Sequence, residues 1–294
     1  MSALRDRIAG APITWGVDGS PGWGYLMGRD RVMAEMAQVG LKATEIGPDG
    51  YLPRDPVELR AYMDRFGLAV VGGFVPSVLH VQERFDAGLD YVDRASRQLA
   101  AAGSKVLVLG PTSQYDGYDR SIDMSEDEWR VFLANLARLQ QVVADHGLQT
   151  GLHPHWGMAI ERQKHVDRLL DASDVDICLD TGHLYIGGAD PVAVAKQARG
   201  RVVHVHLKDV DADLAQQVRD GAVPFRQATL DGMFTPLGAG DVDIAGVIKV
   251  LESDGFDGWY VLEQDVSLSG EPAEGAGPVV DAEASLRYLE SLPS

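Results

Sequence analysis

The chain has 294 residues, 45% of them hydrophobic, which is enough for one large α/β domain with a sizeable core. Its 44 acidic against 26 basic side chains give a formal net charge of -18, a surface that repels phosphate backbones and argues against nucleic acid as a partner. A single cysteine, Cys178, excludes an internal disulfide and fits a reducing compartment. The opening MSALRDRIAG holds no apolar signal core and no run approaches membrane-spanning length, so a cytoplasmic protein without a membrane partner is expected.

Strand and helix signals alternate along the chain. Pro12–Val17 reads as the first strand, followed by a glycine-rich loop, Asp18–Gly28. Spacing at Val32, Met33, Met36 and Val39 predicts a helix over Asp30–Val39, stopped by Gly40. Ala43–Ile46 is the second strand, and Asp55–Phe66 a helix with Pro56 in its first turn. Leu68–Phe74 follows as strand three, Gln82–Ala102 as a long helix and Lys105–Leu109 as strand four. Ser125 and Glu128 have the spacing of a capping box, which predicts a helix to about His146. Strands five to eight fall at Gln149–His153, Asp176–Asp180, Val202–Leu207 and Gly258–Leu262. Helices over Glu161–Ala172, Pro191–Ala198 and Asp243–Ser253 separate them, and a last one covers about Asp281–Ser291. Residues 211–240 form an insertion after strand seven, expected to be partly helical.

Eight such units predict a (β/α)8 TIM barrel, as a single domain over residues 1–294. A doubly wound sheet would carry a glycine-rich phosphate loop after strand one. Gly19, Gly22, Gly24 and Gly28 do not have that spacing.

Chemistry in such barrels sits at the C-terminal ends of the strands, and here those ends are polar. Strand seven, VVHVHLKD, alternates so that His204, His206 and Lys208 share one face. Three polar groups on an apolar strand are costly to bury unless something satisfies them. Strands five to eight offer His153, Asp180, His206 and Glu263, one per strand, with His155, His183 and Lys208 beside them and Glu45 ending strand two. Imidazole and carboxylate together suit Mn²⁺, Co²⁺, Fe²⁺ or Zn²⁺ better than Ca²⁺. Plainer roles are open to the same residues: Asp180 before Thr181-Gly182 has the signature of a helix N-cap, Glu263 suits an ion pair with Lys208, and Trp15 and Trp156 suit packing. His80, His146 and His165 read as structural or surface residues.

The chain resembles the xylose-isomerase-like barrel superfamily of sugar isomerases, epimerases and lyases, and within it the inosose dehydratase branch. The resemblance rests on APITWGVDGSPGWG (Ala11–Gly24), ATEIGPDGYLP (Ala43–Pro53), LHPHWG (Leu152–Gly157), CLDTGH (Cys178–His183), VHVHLKDV (Val203–Val210) and GWYVLEQD (Gly258–Asp265). It implies one divalent metal, Mn²⁺ or Co²⁺ before Fe²⁺, Zn²⁺ or Mg²⁺, held by His153, Asp180, His206 and Glu263. The isomerases and epimerases place a glutamate where this chain has His153. That departure disfavours a two-base epimerase and leaves His155 as an alternative ligand from strand five.

The activity implied is a metal-dependent lyase, a dehydratase of a keto-cyclitol or keto-sugar, in a protein expected to be a homo-oligomer. Glu263 or Lys208 would remove the proton beside the carbonyl, Lys208 with a pKa depressed by a nearby cation. His183 or His155 would assist the leaving hydroxyl, and Glu45 and Trp15 would orient the ring. A ketose or keto-inositol isomerase or epimerase, and a 3-keto-glycoside eliminase, are the alternatives.

Overall fold

The computed structural model describes residues 2–293; Met1 and Ser294 lie outside them. The strands are β1 (Ile8–Gly10), β2 (Ala43–Glu45), β3 (Ala69–Gly72), β4 (Phe74–Ser77), β5 (Val106–Pro111), β6 (Gln149–Leu152), β7 (Asp176–Asp180), β8 (Val202–Leu207), β9 (Asp209–Val210), β10 (Phe234–Thr235) and β11 (Tyr260–Leu262). Nine of them form one parallel sheet in the order β3-β2-β1-β11-β8-β7-β6-β5-β4. β3 and β4 are two halves of one run, broken at Gly73, with β3 on β2 and β4 on β5. The ring closes at that break. Ile46 N donates to Gly72 O and Val108 N to Gly73 O, each at 3.0 Å. A Cβ at position 73 would come within 2.5 Å of Ile46 Cγ2, so glycine is what lets the strands meet. The molecule is the expected (β/α)8 barrel, with its third strand in two pieces.

The first strand is a correction. Pro12–Trp15 is a turn of 3-10 helix ended by Gly16 at φ 77°, not a strand. Proline has no N–H to give a ladder and suits a first helical turn. The strand lies earlier, at Ile8–Gly10, in register with Tyr260–Leu262. Three residues ending in alanine and glycine carry too little alternation to announce it.

Outside the barrel the helices bury one stripe each. Glu126–Ala144 starts with the predicted Ser125–Glu128 capping box and buries Trp129, Phe132, Leu136, Leu139 and Val143, spaced by three and four residues. Inside, the lumen holds small apolar clusters: Ala9, Ala11, Ala43, Val71 and Val261 in one, and Val106, Val108 and Cys178 in another. A short helix, Thr181–Ile186, follows β7 directly. Its start was legible in Asp180 as an N-cap, but six residues are too few for a helical period to show its extent.

The insertion contains helices Ala212–Arg219 and Phe225–Leu230, and β9 pairs antiparallel with β10. One buried carboxylate holds both of its ends. Asp209 accepts from Val210 N (2.9 Å), Gly238 N (2.8 Å), Gly240 N (3.1 Å) and Val242 N (3.0 Å). That ties the insertion to the residue next to Lys208. Among the described residues no helix is long and apolar enough to cross a membrane.

Candidate active site

The polar strand ends converge at one cleft of about 650 Å³, lined among others by Glu45, His153, His155, Glu263 and Asp265, with Asp180, His183, His206 and Lys208 fully buried behind that lining. Asp180 ends β7 and also N-caps the helix Thr181–Ile186, accepting from His183 N at 2.7 Å. Cap and site are therefore one residue in two roles, and the helix start fixes the carboxylate. Thr181 ties the neighbouring strand to it: Oγ1 donates to Lys208 O (2.7 Å) and accepts from Lys208 N (2.8 Å). A Cβ at Gly182 would meet Lys208 Cβ at 2.5 Å, so glycine there lets the lysine pack against the helix.

The second oxygen of Asp180 gathers the site. Its Oδ2 lies 3.1 Å from His153 Nε2, 2.9 Å from Lys208 Nζ and 3.5 Å from His206 Nδ1. Lys208 Nζ also stands 3.0 Å from Glu263 Oε1 and 3.3 Å from Asp265 Oδ1. His206 turns Nδ1 toward Glu263 Oε2 in close contact, and its Nε2 lies 2.9 Å from Glu45 Oε1. The His155 and His183 rings stack with centroids 3.5 Å apart, and Phe225 of the insertion covers His183. His155 Nδ1 is engaged by Trp156 O at 2.6 Å.

Burial and charge compete at every group. Burial alone would push Lys208 down, but Asp180, Asp265 and Glu263 outweigh it and hold the lysine well above its ordinary value. Three carboxylates within reach stabilise the ammonium. Burial raises Asp180 and Glu263, yet the lysine and histidine charges beside them bring both below the usual carboxylate range. Asp265 goes the other way, pushed by burial up to about 7 against the pull of Lys208. His206 is lowered by burial and raised further by Cys178, Glu263 and Glu45, ending well above its ordinary value. Burial, with His155 and Lys208 adding to it, holds His183 well below. Burial takes His155 down to about 3.

The donor set fits a divalent metal. Ligand atoms of Asp180, His206 and Glu263 all lie within 4.8 Å of one another. His206 Nδ1 and Glu263 Oε2 are buried against each other, with Asp180 Oδ2 3.5 Å from the nitrogen. Two carboxylates converge on His206 Nδ1, a position that a divalent cation would fill in place of a proton. His153 sits beside this trio, its ring centroid 4.8 Å from that of His206. His155 is set further back, with its Nδ1 already engaged, so the structure brings His153 and not His155 to the cluster.

Trp15 is placed elsewhere. It is fully buried, its Nε1 donates to Glu35 Oε2 at 2.8 Å, and Trp23 rather than Trp15 borders the cleft. Asp265 and Tyr118 were missed. Asp265 was legible as the second residue after Glu263, on the same face of an extended run. Tyr118 sits in a loop where no periodicity points; its ring lies 5.0 Å from His155 and 5.3 Å from Phe225.

The chain matches the family described as Xylose isomerase-like TIM barrel over residues 33–292. It is 32% identical to the rhizopine catabolism protein MocC of Rhizobium meliloti, over 90% of this chain and 83% of that protein. It is 31% identical to an inosose dehydratase of Geobacillus kaustophilus, over 97% and 94% of the two chains. A crystal structure titled as IOLI protein with a binding zinc atom superimposes with a TM-score of 0.71 at 13% identity, covering 97% of both chains. With the barrel, the polar strand ends and this match together, the chain belongs to the xylose isomerase-like TIM barrel family.

Proposed function

We propose that this enzyme is a metal-dependent dehydratase of a keto-cyclitol or related keto-sugar. The observation that carries the reading is the meeting of Asp180, His206, Lys208 and Glu263, from three adjacent strand ends, at a cleft that Glu263 lines. The similarity to inosose dehydratases over nearly the whole chain supports the same substrate class. Asp180, His206 and Glu263, with His153 as the fourth donor, would hold the metal, Mn²⁺ or Co²⁺ by donor chemistry. When bound, the metal would polarise the substrate carbonyl and acidify the adjacent carbon.

The remaining work falls to side chains. Glu263, kept ionised by His206 and Lys208, takes the proton from the carbon beside the carbonyl. Lys208, kept protonated by three carboxylates, sets a positive charge beside the oxygen where negative charge develops. The electron pair of the broken C–H bond becomes the new C=C bond, and the β-hydroxyl leaves. His183 and Asp265, 3.9 Å apart, are the pair assigned to give that hydroxyl the proton with which it departs as water. Phe225, stacked over His183, keeps bulk water off this side.

A keto-substrate carrying deuterium on the carbon to be deprotonated tests this sequence. Slower turnover with loss of water supports it. An isomer of unchanged mass as the only product would assign the same site to an isomerase.

A further inference from the structure

Beneath the cleft, inside the barrel lumen, one carboxylate oxygen serves two imidazoles. Glu45 Oε1 lies 2.7 Å from His204 Nε2 and 2.9 Å from His206 Nε2. All three side chains are almost entirely out of solvent. Glu45 comes from β2 and the histidines from β8, with β1 and β11 between them in the sheet, so the contact crosses the lumen. Gly72 leaves the room for it: a Cβ there would come within 3.1 Å of the His204 ring and 3.3 Å of Glu45 Oε1.

We propose that Glu45 is a positioning residue, which holds His206 so that its Nε2–H points down to Glu45 and its Nδ1 lone pair points up to the metal. This rests on the metal site of the proposed function and goes beyond it by naming what orients its imidazole ligand. The reasoning is geometric. An imidazole has two nitrogens on opposite edges, and a hydrogen-bond acceptor on one settles what the other can do. In His206 one edge faces Glu45 and the other, Nδ1, faces the carboxylates of Asp180 and Glu263, which are proposed ligands of the same metal. His204 then has a role that does not touch substrate. It shares Oε1 and keeps Glu45 from turning, so a carboxylate across the lumen is fixed from one strand. Glu45 borders the cleft, but its Oε1 is already used twice, by His204 and His206. This reassigns Glu45 from orienting the substrate ring to orienting a ligand of the metal.

The test uses Zn²⁺ and the full chain. Zn²⁺ affinity is measured by competition with a chelator for wild type, Glu45→Gln and a control, Glu35→Gln. Glu35 is a second buried carboxylate, engaged by Trp15 and Arg31 away from the cleft. Glu45→Gln is expected to bind Zn²⁺ about 10–100-fold more weakly, with the control unchanged. Equal affinity in wild type and Glu45→Gln, or equal weakening in both variants, overturns the role of Glu45. A wild type that binds no Zn²⁺ overturns the metal site itself, and the inference with it. A second measurement needs no variant: a long-range ¹H–¹⁵N spectrum of the Zn²⁺-loaded wild type. His206 protonated at Nε2 and metal-bearing at Nδ1 supports the assignment; the reverse arrangement removes it.

Discussion

Lys208 Nζ stands 2.9 Å from Asp180 Oδ2, with both side chains fully buried. The lysine comes from the strand after the one that carries the aspartate, and Thr181 bonds to both the N–H and the C=O of Lys208. A buried ammonium beside a carboxylate persists only when each neutralises the other. The pair is thus an electrostatic element of the site, fixed before any substrate arrives.

Lys208→Ala removes that charge and leaves all four proposed metal donors. The expected outcome is near wild-type metal content with kcat lower by roughly 10²–10⁴. Metal analysis together with steady-state kinetics checks both halves. Unchanged kcat and KM would take Lys208 out of the reaction.

Asp209→Asn should loosen the insertion. The carboxylate accepts four backbone N–H groups from the two ends of that segment, and an amide can accept at one atom only. Hydrogen bonds to a charged acceptor are each worth about 1.5–3 kcal/mol, so a fall in Tm should accompany faster hydrogen exchange over 212–235. An unaltered exchange pattern would show that other contacts hold the segment.

His80 predicts a pH effect remote from the site. It is buried, neither ring nitrogen has a hydrogen-bond partner, and burial lowers its pKa, against a small opposing pull from Glu128. The folded value lies below the unfolded value of about 6.5. Below that pH the unfolded chain binds the extra proton first, so this contribution is complete above pH about 6.5 and is lost as pH falls toward the folded pKa. His80→Asn removes the titrating group. Urea midpoints from pH 7.5 to 5 should fall less steeply in the variant than in wild type; parallel curves would contradict the assignment.

The acidic balance predicts no salt-sensitive affinity for DNA. A net charge of -18 supplies few phosphate-neutralising clusters. Fluorescence anisotropy with labelled duplex at low salt checks it, and tight binding that weakens steeply with added salt would contradict it.

The fold was legible because most strands are apolar runs punctuated by glycine. β7 and β8 match their predicted bounds, Asp176–Asp180 and Val202–Leu207. What escaped was short or composite: three residues at β1, the six-residue extent of the helix that Asp180 caps, and a third strand split at Gly73. The site was legible through side-chain alternation, which places His204, His206 and Lys208 on one face. Alternation cannot say what lies across the lumen. That Glu45 faces two histidines of β8, and that three carboxylates surround Lys208 and raise it, depends on the closure of the barrel. Trp15 fell to packing because its neighbour Glu35, on the following helix, captures the indole N–H.

The most direct measurement is product analysis with a keto-inositol before and after complete removal of metal. The protein loaded with Mn²⁺ or Co²⁺ should release a product lighter by one water. Chelation should abolish that reaction and added metal should restore it, while Asp180→Ala and His206→Ala should neither retain metal nor turn over. Water loss that continues at full rate in the metal-free protein, or a product of unchanged mass, would contradict the account.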